Sequence, residues 1–145
     1  MTCSPFSDNK CLDFCDKRAM ITAEEKGKKY IGHNISGKLF SRFRVDGCLI
    51  KEGKKCDFLI LDCEEKKAYF IELKGKDILN ALEQIDRSIE VLFSKLNDFN
   101  INARIVLSKL NPPDLRSSKY IKLERKLKRW KGTILKKARV LEENL

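Results

Sequence analysis

A chain of 145 residues, 42% hydrophobic and 36% charged, has the size of one domain with enough apolar content for a core without metal or disulfide staples. No run of about 18 apolar residues occurs, so no membrane-spanning helix is expected, and the start, MTCSPFSDNKCLDFCDK, lacks the apolar stretch of a secretory signal, which makes the cytoplasm the expected location. The net charge of +10, from 31 Lys and Arg against 21 Asp and Glu, favours a polyanionic partner, either nucleic acid or an anionic membrane surface.

Residues 1–18 have no clear period and are expected to be a loosely ordered extension of the single domain 1–145. Thr22-Ala-Glu-Glu25 fits a capping box, with Thr22 as N-cap and Glu25 three residues on, which predicts a helix from Thr22 towards Gly32. Asn34–Lys38 reads as a turn. Leu39–Ile50 alternates as a strand, Lys51–Lys54 is a hairpin turn with its glycine, and Cys56–Asp62 is a second, buried strand. After the polar turn Cys63–Lys67 comes a third strand, Ala68–Gly75. Asp77 is a good N-cap for a helix whose stripe is Ile78, Leu82, Ile85, Ile89, Leu92 and Leu96. Ala103–Ser108 is a fourth strand, and Asn111–Asp114 breaks the chain. Tyr120, Leu123, Leu127 and Trp130 mark a basic helix that ends at Gly132, and Thr133–Leu141 reads as a last strand. The order α-β-β-β-α-β-α-β predicts an α/β protein of the α+β kind, a mixed sheet with an antiparallel meander flanked by helices.

Within FIELKGKD (Phe70–Asp77), Glu72 and Lys74 put two opposite charges on one face of a strand that otherwise reads as buried. A hairpin turn centred between Glu64 and Glu65 makes paired positions sum to 129 and sets Asp57 opposite Glu72. A shift of one residue makes the sum 131 and sets Asp57 opposite Lys74. Either register brings two carboxylates and an ammonium to one end of the sheet. Such carboxylates repel unless a divalent cation lies between them. Mg²⁺ takes hard oxygen ligands of this kind together with phosphate oxygens and water, and a neighbouring lysine can steady the developing charge. The alternative reading is a salt bridge at a strand end.

CDFLILDCEEKKAYFIELKG (Cys56–Gly75) resembles the PD-(D/E)XK nuclease superfamily, which includes restriction endonucleases and Holliday-junction resolvases. Asp57, Glu72 and Lys74 match its aspartate and Glu-x-Lys positions, while Cys56 stands where the family carries proline. The resemblance implies a restriction-endonuclease-like αβββαβ core over residues 22–108, with an added C-terminal basic helix and strand. It also implies phosphodiester hydrolysis dependent on Mg²⁺ or Mn²⁺, with metal ligands Asp57, Glu72 and the Leu73 carbonyl. Members often add an acid from the first helix, for which Glu24 and Glu25 are candidates, and some branches carry a glutamine on the helix after the motif, matched by Gln84. Asp46 beside Gly47 is a further candidate, or a turn residue.

The basic excess concentrates late: Arg116–Val140 holds eleven Lys and Arg and one acid, Glu124. With the nuclease-like hairpin, this favours a phosphate-tracking surface, and Lys76, Lys122, Arg125, Lys126 and Arg129 are the expected contacts. Trp130 continues the apolar stripe as core. The six cysteines show no zinc spacing and are expected to be reduced, buried thiols; a metal held by Cys3, Cys11 and Cys15 would lack a fourth ligand. His33, the sole histidine, is assigned no catalysis. The expected function is a metal-dependent nuclease acting on nucleic acid, DNA before RNA, with no membrane partner. A homodimer or protein partner is compatible. The alternative is an inactive nucleic-acid-binding module or subunit of a larger defence or repair assembly.

Overall fold

Alternating burial, rather than helical spacing, organises the first third of the chain. In a computed structural model, which describes residues 4–73, 77–110 and 117–145, nine strands and two helices alternate as β1 (Leu12–Asp16), β2 (Met20–Glu25), β3 (Lys28–His33), β4 (Phe40–Arg44), β5 (Phe58–Asp62), β6 (Lys67–Glu72), α1 (Ile78–Leu92), β7 (Asn100–Leu107), α2 (Ser118–Arg129), β8 (Ile134–Ala138) and β9 (Val140–Asn144). A short 3₁₀ turn, Phe93–Lys95, ends α1.

The main sheet has the order β1-β4-β5-β6-β7-β8. Its first four strands are antiparallel neighbours, and β6-β7 and β7-β8 pair in parallel. α1 and α2 are the crossovers that parallel pairing requires. A smaller sheet, β2-β3-β9, combines an antiparallel and a parallel pair. Both helices cover one face of the main sheet, where Leu59, Phe70 and Ile105 meet Ile78, Leu82 and Ile85 of α1 and Leu123 and Leu127 of α2. The small sheet covers the other face, where Ile60, Ile71 and Val106 meet Ile21, Ala23, Tyr30 and Leu141. A mixed α/β fold is therefore present, and no helix among the described residues is long and apolar enough to cross a membrane.

Four local expectations are corrected. The helix expected from Thr22 is the hairpin β2-β3, because Ile21 and Ala23, then Lys28, Tyr30 and Gly32, are buried at a period of two. Lys26 and Gly27 form its two-residue turn with φ of 50° and 77°, the left-handed pair that tight hairpins need. The helix that would open an αβββαβ core is thus missing among the described residues, although β4-β5-β6-α1-β7 follows the rest of that order. Secondly, the N-terminal extension is ordered where β1 pairs with β4, with a bulge between Leu12 and Phe14. Thirdly, β4 stops at Arg44, and residues 45–57 form a loop rather than continuing the strand into a hairpin turn. Fourthly, the last strand is two: Arg139, at φ 66°, breaks it, so that β8 joins the main sheet and β9 the small one.

The cysteine expectation is corrected as well. Cys11 and Cys48 form a disulfide and Cys63 is also disulfide-bonded, while Cys15 and Cys56 are thiols. Disulfides persist mainly in oxidising compartments, so the cysteines lend no support to a cytoplasmic location.

The two sheets are joined by a buried charge cluster. Arg104 on β7, 4% exposed, donates through Nε to Glu143 Oε2 at 2.7 Å and through Nη2 to Oε1 at 3.2 Å. Its Nη1 donates to the carbonyl oxygens of Ala103 and Thr133, each at 3.0 Å. The hydroxyl of Tyr30 on β3 donates to the same Glu143 Oε2 at 2.7 Å. Burial and the Glu143 carboxylate push that phenol well above the usual tyrosine range, so it stays a donor. One carboxylate from β9 thus fastens β3 to β7. Arg104→Ala should cost about 1.5–3 kcal/mol in urea unfolding because it leaves the half-buried Glu143 without its charged hydrogen-bond donor. The double replacement Arg104→Leu with Glu143→Leu should cost less than the single one.

Candidate functional site

The β5-β6 register decides which charges meet. Phe58 pairs with Ile71, Leu59 with Phe70 and Asp62 with Lys67, so paired positions sum to 129. Of the two registers open from sequence, the structure has the one that sets Asp57 across from Glu72, one step beyond the ladder. The backbone departs from regular pairing at that step. Asp57 N–H donates to the Ile71 carbonyl at 3.0 Å, and Asp57 Oδ2 accepts the Leu73 N–H at 2.7 Å. A side-chain carboxylate thus takes the place of a strand carbonyl and is held against β6. Asp57 and Glu72 are 3% and 0% exposed.

Glu72 follows Ala68 and Phe70 towards the helix layer, where α1 receives it. With its amide oriented by its neighbours, Gln84 donates from Nε2 to Glu72 Oε2 at 2.7 Å and to the Lys55 carbonyl at 2.8 Å, and its Oε1 accepts from Asn80 Nδ2 at 2.9 Å. Gln84 therefore ties the β6 carboxylate to the loop before β5. The Leu73 side chain is buried between the two sheets, which leaves its main chain at the site. Asp77 caps α1 as expected, accepting from the Leu79 N–H at 2.9 Å. Lys74 and Lys76 lie outside the described residues.

Sequence reasoning missed the clasp that holds the 45–57 loop on α1. Arg87 Nη1 donates to the carbonyls of Glu52 and Lys54 at 3.0 and 2.7 Å, and Ser88 Oγ accepts the Cys56 N–H at 2.8 Å. Gly53 adopts φ 80°, and a Cβ there would lie 2.7 Å from the Arg87 guanidinium carbon. This glycine was legible as a turn, but its approach to Arg87, 34 positions on, was not. Burial pushes the Cys56 thiol far up, and the Glu72 and Asp57 carboxylates add to the shift, so Cys56 is no thiolate nucleophile.

A shallow groove beside the carboxylates is lined by Asp46, Gly53, Lys54, Lys55 and Gln84. The Asp46 N–H and Val45 N–H both point to the Asp57 carbonyl, at 3.5 and 3.0 Å. Lys55 Nζ lies 3.9 Å from Asp46 Oδ1. Of the acids considered as a third contributor, Asp46 is the one beside the site. Glu24 and Glu25 sit on β2, opposite Lys29 and Lys28, in the layer that covers the other face of the main sheet. The structure does not bring Glu25 to Asp57 and Glu72, because the element that carries it is a strand of the small sheet. No cluster of three or more His, Cys, Asp or Glu side chains suited to a metal occurs among the described residues.

The basic candidates divide into two groups. Lys126 Nζ bonds Asp86 at 2.7 Å and lies 3.4 Å from Glu90, and Lys119 pairs with Glu83, which also holds Lys54. These lysines link α2 to α1 and to the site loop. Burial pulls the Lys126 ammonium down, but the Asp86 and Glu90 carboxylates together outweigh it and the net shift is upward. Lys122, Arg125 and Arg129 instead face outward and are exposed. Trp130 packs partly into the core against Phe93, with ring centroids 4.7 Å apart.

Comparison with protein-family models, curated proteins and solved structures yields no match.

Gln84→Glu would set a second carboxylate against Glu72 within a buried contact. It should destabilise the fold by about 1–3 kcal/mol at neutral pH. The loss should shrink in acid as one carboxyl protonates, because the crowded pair binds a proton more tightly folded than unfolded. Urea titrations between pH 4 and 8 read both effects.

Proposed function

We propose that this chain is a small divalent-metal-dependent nuclease of the PD-(D/E)XK kind, acting on DNA in preference to RNA. The observation that carries the reading is the Asp57 carboxylate, buried and fixed on the Leu73 N–H beside the equally buried Glu72. Burying carboxylates at a strand end is costly and gives no packing advantage over apolar residues. A cation-holding role accounts for them.

The donor set suits Mg²⁺ or Mn²⁺, since both carboxylates and the Leu73 carbonyl offer hard oxygen. The Leu73 carbonyl is the third ligand that the resemblance implies. Such an ion, when bound, acidifies a water and offsets charge on a phosphodiester. Gln84 fixes the orientation of Glu72, and the loop clasped by Arg87 fixes Asp57. Lys74, by its place two residues after Glu72, is the cation proposed to position the attacking water and steady the developing oxyanion. Hydrolysis leaving a 5′-phosphate follows from the same resemblance. A second reading, a binding module without activity, draws support from the outward cations of α2, which would hold a phosphate backbone whether or not the carboxylates act.

Cleavage of single-stranded, double-stranded and branched DNA and of RNA, with Mg²⁺, with Mn²⁺ and with chelator, tests the proposal. Activity should require the metal, and Asp57→Ala and Lys74→Ala should each lower it by about 100-fold or more. Binding without cleavage of any substrate would favour the second reading, and cleavage unchanged in both variants would sink the first.

A further inference from the structure

The outer face of α2 carries a second recognisable surface, away from the buried carboxylates. Ser118, Lys122, Arg125 and Arg129 follow one another at steps of four, three and four residues and so form one stripe. Between Lys122 and Arg129 the stripe runs about 10 Å along the helix. A groove beside it is lined by these residues together with Ile121, Lys126 and Trp130. The acids of the neighbouring helix do not neutralise the stripe: Glu83, Asp86 and Glu90 pair with Lys119 and Lys126, and among the described residues no carboxylate pairs with Lys122, Arg125 or Arg129.

Two apolar groups interrupt this cationic strip. Ile121 is 40% exposed, and Trp130 lines the groove from the C-terminal end of α2. The indole is held at a fixed angle by Phe93, at 36° between ring planes, and by the ammonium of Lys126 5.9 Å from its centre. A surface made only to track phosphates needs cations alone. A fixed aromatic group among cations suits a ligand that presents both phosphates and flat apolar faces. In a duplex those faces are hidden in the stack, whereas in a single strand they are available.

The geometry points to the α2 groove as a binding site for single-stranded nucleic acid, with Lys122, Arg125 and Arg129 on phosphates and an unpaired base against Trp130. Lys54 and Lys119 share Glu83, next to Gln84 in α1, so the α2 surface and the loop at the carboxylates meet on one turn of α1. A strand held on α2 would have its continuation near that loop. The inference goes beyond hydrolysis and stands without it.

Trp130 is the single tryptophan, so its fluorescence reports on the groove directly. The full chain, in chelator to prevent cleavage, is titrated with a 12-nucleotide single strand, with the duplex of the same sequence and with vesicles containing phosphatidylserine. The single strand should quench Trp130 and bind at least five-fold more tightly than the duplex. Three phosphate contacts predict a slope of log affinity on log salt of about −2, reduced by about 0.7 for each cation removed. Arg125→Ala with Arg129→Ala, both on the exposed face, should flatten that slope accordingly. Trp130→Leu, checked for folding by its melting curve and followed by polarisation of a labelled strand, should weaken binding about ten-fold while keeping the slope. Binding of the single strand without quenching, equal affinity and quenching with the duplex, or quenching by vesicles alone would each overturn the inference. Loss of nuclease activity elsewhere would leave it standing, because no divalent metal is present in this measurement.

Discussion

The antiparallel ladder between β5 and β6 is the constraint on which the candidate site depends. With paired positions summing to 129, Asp57 comes to Glu72 at the end of the hairpin. A slip that changes the pairing sum by one, to 128 or 130, would turn every β6 side chain to the opposite face. Phe70 would leave the helix layer and Ile71 the small sheet, so core packing on both faces excludes such slips. The departure from regular pairing at Asp57 then has a clear physical content. Its carboxylate receives the Leu73 N–H, which ends the ladder with a charged acceptor instead of a main-chain one.

Around that hairpin, polar contacts across long sequence distances hold the other elements in place. Arg87 and Ser88 bring the 45–57 loop down onto α1, Gln84 bridges that loop to Glu72, and Arg104 with Glu143 and Tyr30 fastens the small sheet behind the main one. The helix layer adds a division of labour among cations. Lys119 and Lys126 are used within the fold, and Lys122, Arg125 and Arg129 are left to the outside. A net charge of +10 therefore overstates how much of α2 faces a partner, and sharpens where it does.

Much of this was readable in the sequence where short-range pattern and burial agree. The β5 and β6 strands, the Asp77 cap and the stripe of α1 follow from alternation, capping chemistry and three- and four-residue spacing. Residues 22–25 misled because Thr-x-x-Glu satisfies a capping box while Ile21 and Ala23 are also buried at strand spacing; pairing with β3 decided between them. Gly27, which weakens a helix, is at home in the turn. The break at Arg139 was hidden because strand residues run up to it on both sides, separated only by one left-handed residue. The Cys11–Cys48 bridge and the Arg104–Glu143 pair depend on residues 37 and 39 positions apart, which no local pattern reveals. For the candidate site, Asp57 and Glu72 were legible from hairpin spacing and Gln84 from the resemblance; Asp46 was a candidate whose place beside Asp57 only the loop fold shows, Lys55 needed that fold altogether, and Glu25 was drawn in by a helix that is a strand.

The central claim is that Asp57 and Glu72 exist to hold a divalent cation. Calorimetric titration of Mn²⁺ into the full chain, beside Asp57→Asn and Glu72→Gln variants whose fold is checked by circular dichroism, addresses it without any nucleic acid. Saturable binding in the native chain that is lost in both folded variants is the predicted result. Binding that persists unchanged in both variants, or no binding to the native chain, would contradict it.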